Sequence, residues 1–314
     1  MLPGRGLRRV VAVVVFSATA FPATAAPTGL PSVSHAYSGI AFVYQTQPRD
    51  SIASLSSRVG QAATDLVRAN GLSGSAPLQP GTRLRMDSRH IVPRWMERGI
   101  LINIPQRMLF LFENNQLIAA YPVGPGKKDW QTPTGRYAVT SLQENKTWFV
   151  PESIQAEMRQ KGLDVKTSVP AGPGNPLGRY WIGTSATGIG IHATVAPRSV
   201  YGFHSHGCIR MNADDAQRLY AKTTKGMPVE IIYQPLMLAR FADGSVFLEV
   251  HRDIYRRGAD LMGTARDMAL VEGIEDAIDW KKVATAAQEQ AGAMRDISLR
   301  PPSLRPSPSA DGRL

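Results

Sequence analysis

The chain has 314 residues, 43% of them hydrophobic and 19% charged, and a formal charge of +11. That length and balance exclude a wholly disordered chain and predict one sizeable domain with something smaller attached. The basic excess favours anionic partners, and the single cysteine excludes a disulfide within the chain.

Taken in order, Arg5, Arg8 and Arg9 precede an apolar run from Val10 to Phe16, and Ala23-Thr24-Ala25 forms an A-x-A pattern. Residues 1–25 are therefore predicted to be a secretory signal peptide, with the Arg8-Arg9 pair compatible with either a general or a twin-arginine route. The run is far shorter than the roughly 20 residues that cross a bilayer, so no stable membrane span is expected after cleavage. Removal of the three arginines leaves +8 on the mature chain. A lone thiol in an exported protein is exposed to oxidation, which makes the cysteine a candidate for chemistry as well as for apolar packing.

Residues 26–39 are rich in Pro, Ser and Gly and read as a linker, with order expected from Ile40. From 40 to 88 the pattern is strand, helix, helix, strand. Ala41 to Tyr44 is strand-like; Ile52, Leu55 and Val59 have helical spacing; Leu66, Val67 and Ala69 precede the Asn70-Gly71 stop; and Pro80-Gly81 turns into a closing strand. With Asp50-Ser51-Ile52, Asn70-Gly71-Leu72 and Pro80-Gly81 at these places, the segment resembles a LysM domain, a small glycan-binding module of βααβ form. Arg49 stands where that family usually has glycine.

Beyond Gly99 the period changes to that of strands: Ile100 to Ile104, Met108 to Phe112, and Gln116 to Val123 after a Glu113-Asn114-Asn115 turn. Another strand, Tyr137 to Thr140, follows Thr132-Pro133-Thr134-Gly135, and a helix is predicted from Pro151 to Gln160. The Gly- and Pro-dense stretch from Val169 to Gly178 is a shaped loop. A strand through Ile189 and Ile191 then delivers His192. Past Ile232, Phe241 to Val246 reads as a hairpin turn with a return strand to His251, and helical stretches lie between Asp260 and Gln290. This gives a domain over 97–235, a C-terminal hairpin and helical extension over 236–299, and a disordered Pro-rich tail over 300–314.

The chemistry is concentrated in Gly188-Ile189-Gly190-Ile191-His192 and in Ser205-His206-Gly207-Cys208-Ile209-Arg210. A thiolate is the attacking form of cysteine, and at a free pKa near 8.5 little of it exists at neutral pH, so a base or a positive field must supply it. Histidine provides either, and glycine beside the cysteine lets backbone N–H groups turn toward a developing oxyanion. Holding the imidazole in one tautomer needs a hydrogen bond to its other nitrogen; no acid lies between His192 and Cys208, so a carbonyl is expected there. Downstream, Asn212 is placed to cap a helix with Asp214 and Asp215 in its first turn and Lys222 near its end, and the positive end of that helix is expected to lower the Cys208 pKa.

The Ser-His-Gly-Cys-Ile-Arg element with His192 sixteen residues before Cys208, together with Thr132 to Gly135 and Val169 to Gly178, is similar to the L,D-transpeptidases with a YkuD-type catalytic domain, over roughly Ile100 to His251. The resemblance implies a mainly β fold, a β-sandwich or barrel-like catalytic domain with few helices. It implies Cys208 as nucleophile, His192 as general base and the Ala193 carbonyl as its orienting acceptor. Gly207 and Cys208 N–H groups are expected at the oxyanion, with His206 either joining them or bracing the loop; Arg210 is expected to fix a substrate carboxylate or to brace the loop, and Ser205 is expected at the substrate. Tyr201, Phe203 and His204 are expected on the pocket rim. No cofactor and no metal are implied. The partners implied are peptidoglycan stem peptides and glycan in the periplasm, with an envelope lipoprotein as a second kind of acceptor; the charge alone would permit nucleic acid, but the predicted export argues against it. A wall hydrolase or carboxypeptidase of the same chemistry, and a noncatalytic peptidoglycan-binding protein, are the competing readings. Papain-like peptidases place Cys before His, the reverse of the order here.

Overall fold

The computed structural model describes residues 31–73 and 77–300. The predicted signal peptide and the tail beyond Arg300 lie outside the described residues, as does the start of the predicted linker. The remainder of that linker differs from expectation. Strand β1 (Tyr37–Ser38) is already in place, Ser34 bridges Ala239, and Val33 packs into the C-terminal core. The partners of β1 are Ile91 and His90, and that of Ser34 is Ala239; all lie far along the chain, so local composition could not announce them.

The βααβ unit is formed by β2 (Ala41–Gln45), α1 (Ile52–Val59), α2 (Ala63–Ala69) and β3 (Arg83–Asp87), with β2 and β3 antiparallel. Ser51 and Ser54 exchange side chain to backbone hydrogen bonds at 3.2 and 2.9 Å, a capping box that starts α1. Gly60, at φ 76°, ends it. Leu55, Leu66, Leu84 and Met86 are buried together between the helices and the hairpin, at about 1.5–3 kcal/mol for each such side chain. Arg49, in the position where glycine is usual, takes φ 73°. The left-handed turn is thus kept while Asp50 accepts bonds from Gln47 N and Tyr44 Oη.

After β4 (His90–Ile91), which pairs with β1, the chain closes an eight-stranded barrel. Its strands are β5 (Gly99–Asn103), β6 (Met108–Glu113), β7 (Gln116–Gly124), β8 (Gly135–Glu144), β11 (Tyr180–Thr184), β12 (Gly190–Ala193), β13 (Ile209–Met211) and β14 (Pro228–Ile232), in the order 11-12-13-7-6-5-14-8. Between β8 and β11 the chain leaves the barrel through β9 (Trp148–Phe149), α3 (Glu152–Gln160) and β10 (Ser168–Val169). Ile100, Ile102, Leu109, Leu111, Ile191 and Ile209 are among the side chains that fill the interior. Closure removes sheet edges, and the two parallel joints, β12 to β13 and β5 to β14, require the long connections seen in the sequence.

α4 (Ala213–Lys222) follows β13. Asn212 stands at its N-cap without accepting from a first-turn N–H; its amide donates to Asp215 Oδ2 at 3.4 Å and to Ser57 O at 3.1 Å, the latter tying α4 to α1. The extension is a three-stranded sheet, β15 (Leu236–Arg240), β16 (Val246–His251) and β17 (Ala291–Asp296), packed by α5 (Leu261–Glu272) and α6 (Trp280–Glu289). The hairpin at Asp243-Gly244 is as predicted. The third strand was not: its Ala-Gly-Ala start has little strand propensity and is held by β16. Among the described residues no helix is long and apolar enough to cross a membrane.

Candidate active site

His192 sits on β12, facing Trp181 of β11 on one side and Arg210 of β13 on the other. A side chain on Gly190 would strike the Trp181 indole, its Cβ lying 2.4 Å from that ring. Glycine there lets the indole lie over the strand and stack on His192, with centroids 5.8 Å apart and planes at 24°. The Nδ1 of His192 is 2.6 Å from Ala193 O. A carbonyl only accepts, so Nδ1 carries the hydrogen, and in the neutral ring Nε2 keeps its lone pair. The ring is 4% exposed. Burial pushes its pKa down to about 4, against the pull of the Ala193 carbonyl and with help from the Arg210 charge. His192 is therefore an uncharged imidazole with Nε2 available as a base at neutral pH.

Cys208 immediately precedes β13, the strand parallel to β12, and lies two residues before Arg210, the partner of His192. At a strand spacing of about 4.8 Å and a rise of about 3.3 Å per residue, the Cα atoms of His192 and Cys208 are on the order of 8 Å apart. The half-buried thiol donates to Gly188 O at 3.5 Å. Its pKa is raised by burial, against the Gly190 backbone and the Arg210 charge. The net shift is thus upward, where a lowering by the helix terminus was expected: burial dominates, and the three residues of β13 intervene before α4 begins.

The loop that carries the cysteine is braced from several sides. Gly207 takes φ 106°, a region costly for residues with a side chain. Its carbonyl accepts from Thr132 Oγ1 at 2.7 Å, and Thr132 Oγ1 in turn accepts from Gly126 N at 2.9 Å. Tyr255 Oη accepts from Thr132 N and donates to Gly126 O, so the C-terminal extension reaches the site. Ser205, expected at the substrate, is 2% exposed; its hydroxyl donates to Cys208 O and accepts from Gly207 N at 3.2 Å. It is a loop brace, and it shares one of the two N–H donors expected at the oxyanion. His206 turns away to Glu157 Oε2, at 2.6 Å, with its ring edge-on to Trp130. Arg210 is half-buried beside His192 and Cys208, and no carboxylate pairs with it among the described residues.

The expected rim is placed differently. Tyr201 is 4% exposed, with the Arg107 guanidinium 4.0 Å above its ring, and Phe203 packs against the barrel core; only His204 of the three is exposed. The ring at 201 is thus core and that at 203 half-buried against the core.

The fold also assembles a cluster that the scattered histidines did not reveal: His90, Glu249 and His251, buried, with ligand atoms within 4.8 Å of one another. It is the group among the described residues able to hold a metal. Hydrogen bonds already join it. Nδ1 of His90 and Nε2 of His251 each lie 2.7 Å from Glu249 Oε1, and Nε2 of His90 lies 2.7 Å from Gly60 O. With an acceptor on each ring nitrogen, His90 reads as an imidazolium paired to Glu249. The residues fit a proton-linked ion pair better than a metal.

A barrel that sets a histidine on one strand and a cysteine at the start of the adjoining parallel strand, after a βααβ module in the chain, defines the class to which sequence comparison leads. The L,D-transpeptidase catalytic domain model (YkuD) matches residues 97–231, and the LysM domain model matches residues 44–87. ErfK/SrfK of Escherichia coli (strain K12), named a probable L,D-transpeptidase, is 29% identical over 267 residues, 81% of this chain and 84% of that protein. YcfS of the same strain, named in the same terms, is 31% identical over 196 residues, 60% of this chain and 61% of that protein. YqjB of Bacillus subtilis (strain 168), named a putative L,D-transpeptidase, is 33% identical over 137 residues, 42% of this chain and 69% of that protein. The chain belongs to the L,D-transpeptidase family and carries a LysM domain. It is a transpeptidase enzyme.

Proposed function

We propose that the protein works in the periplasm on peptidoglycan stems through a Cys208 thioester. Nε2 of His192 takes the thiol proton, and the sulfur attacks the carbonyl between the L-centre of diaminopimelate and the terminal D-alanine of a tetrapeptide stem. The tetrahedral oxygen is met by the Cys208 and Gly207 N–H groups, with Arg210 drawing in a substrate carboxylate. Collapse breaks the C–N bond, His192 returns its proton to the leaving amine, D-alanine departs and the acyl group stays on sulfur. An acceptor amine then attacks the thioester and regenerates the thiol. The diaminopimelate amine of a second stem gives a cross-link, and a lysine at the end of an envelope lipoprotein gives a tether. Water in the same place gives a shortened stem. The LysM domain would hold the glycan while the stem is processed.

The observation that carries this reading is the Nδ1 contact of a buried His192 with Ala193 O, which leaves the opposite nitrogen basic beside the strand of the single cysteine. Predicted export, with the A-x-A site after an apolar run, supports the compartment. The test is incubation of the purified protein with disaccharide-tetrapeptides, followed by product masses. The reading expects dimers that have lost one D-alanine, or stems exchanged with an added amine. Unaltered tetrapeptide under conditions that support a related L,D-transpeptidase would sink it.

A further inference from the structure

Glu157 has no part in the chemistry above, yet its carboxylate touches both loops of the site. It lies on α3, in the excursion between β8 and β11, a helix with no buried residue to pack it down. One carboxylate supplies the ties from this helix to the barrel: Oε2 is 2.6 Å from Nε2 of His206, and Oε1 is 3.2 Å from Nζ of Lys127. Lys127 N in turn donates to Ser205 O at 3.0 Å, so the two loops that Glu157 holds are already joined through backbone. Bonds from Lys161, His206 and Lys127 keep Glu157 ionised, its pKa held at about 2.

We infer that Glu157 is a positioning residue for the catalytic loop, acting through His206. The inference rests on the reading of Cys208 as the nucleophile. A carboxylate oxygen at hydrogen-bond distance requires the proton on Nε2 of His206, which fixes both the tautomer and the ring plane against Trp130. His206 is two residues before Cys208, and the carbonyl of the intervening Gly207 is clamped from the other side by Thr132. The loop is thus gripped on its inner face by the threonine and on its outer face by the glutamate. Freeing the outer grip lets His206 and the turn at Gly207 drift, and misplacement of a nucleophile by a fraction of an ångström to one ångström is costly in rate. Because the same carboxylate anchors α3, the helix loosens over the site in the same event.

The test is a double-mutant cycle with tetrapeptide turnover, joined to ¹⁵N NMR of the histidine side chains. Glu157→Ala is expected to cut kcat/KM about tenfold or more, chiefly in kcat, a coupling ordinary for residues in direct contact. Glu157→Gln keeps an oxygen that accepts the His206 proton and is expected to stay within about threefold of wild type. In a His206→Ala background the further loss from Glu157→Ala is expected to shrink below about twofold. The NMR spectrum is expected to show His206 as the Nε2–H tautomer in wild type and as a tautomer mixture in Glu157→Ala. Wild-type rates in Glu157→Ala, the same loss with and without His206, or an unchanged His206 signature would each overturn the inference. The tautomer measurement needs no turnover, so a wild-type protein inactive on stems would overturn the proposed function and leave the placement of Glu157 separately testable.

Discussion

Replacing His192 with alanine is expected to lower kcat/KM on tetrapeptide stems by about 10²–10⁴-fold, the usual contribution of a positioned general base, with no loss of fold. Two features make the effect large. The thiol pKa is raised by burial, so Cys208 does not ionise unaided at neutral pH, and the imidazole is held neutral, with its pKa down at about 4. The resting pair is thiol and imidazole, and the proton moves during attack. The pH dependence follows in sign. A group acting as a base is lost when protonated, so wild-type kcat/KM should hold through weakly acidic pH and fall as pH drops through about 4. The alanine variant should instead gain activity steadily toward alkaline pH, as thiolate forms without help. Stopped assays of both proteins across pH check this, and parallel profiles would contradict a neutral base.

The largest stability effect is expected at Glu249, which is fully buried and receives His90, His251 and Gln106. It also accepts from Ile91 N at 2.7 Å. Glu249→Ala leaves the His90 charge without its partner at the junction of the LysM domain, the barrel and the C-terminal sheet. Breaking a buried pair in this way costs about 3–5 kcal/mol. Burial alone would raise the Glu249 pKa, yet the His90 charge and the histidine hydrogen bonds hold it at about 2, below its ordinary 4.5. A depressed acid contributes stability that is present above 4.5 and fades as pH falls through about 2. For His90, burial works downward but the Glu249 charge prevails and raises the pKa above 6.5. Its contribution is complete below 6.5 and is lost as pH rises through the raised value. Denaturation of wild type should therefore show greatest stability from this pair between about 4.5 and 6.5, and the Glu249→Ala protein should lose that maximum. Equal midpoints for the two proteins would contradict the pairing.

What the sequence made legible was what neighbours in the chain determine. The strand-helix-helix-strand order of residues 40–88 follows from apolar spacing and from stops at Gly60 and Asn70-Gly71. Of the eight barrel strands, β5, β6, β7, β8 and β12 follow from apolar runs and from turns such as Glu113-Asn114-Asn115, whereas β11, β13 and β14 are not among the predicted strands. The contact of Ala193 O with His192 joins adjacent residues. The remaining contacts are made by packing between elements far apart in the chain, which no local pattern encodes. Glu157 reaches His206 across 49 positions, Tyr255 reaches Thr132 across 123, and His90 reaches Glu249 across 159. Thr132 carried a signal, since Thr132-Pro133-Thr134-Gly135 was part of the family likeness, but its bond to Gly207 depends on the fold. Ser205 shows the opposite case: the family resemblance implied a place at the substrate, whereas its hydroxyl is spent inside the loop.

The central claim is that acyl transfer passes through sulfur at Cys208. Its most direct measurement is acid quenching of the protein within the first turnovers on disaccharide-tetrapeptide, followed by peptide mapping by mass. The expected result is the Cys208 peptide bearing the disaccharide-tripeptide acyl group, with one free D-alanine per label and no label in Cys208→Ser. Turnover with an unlabelled Cys208 peptide, or turnover that survives the serine substitution, would contradict it.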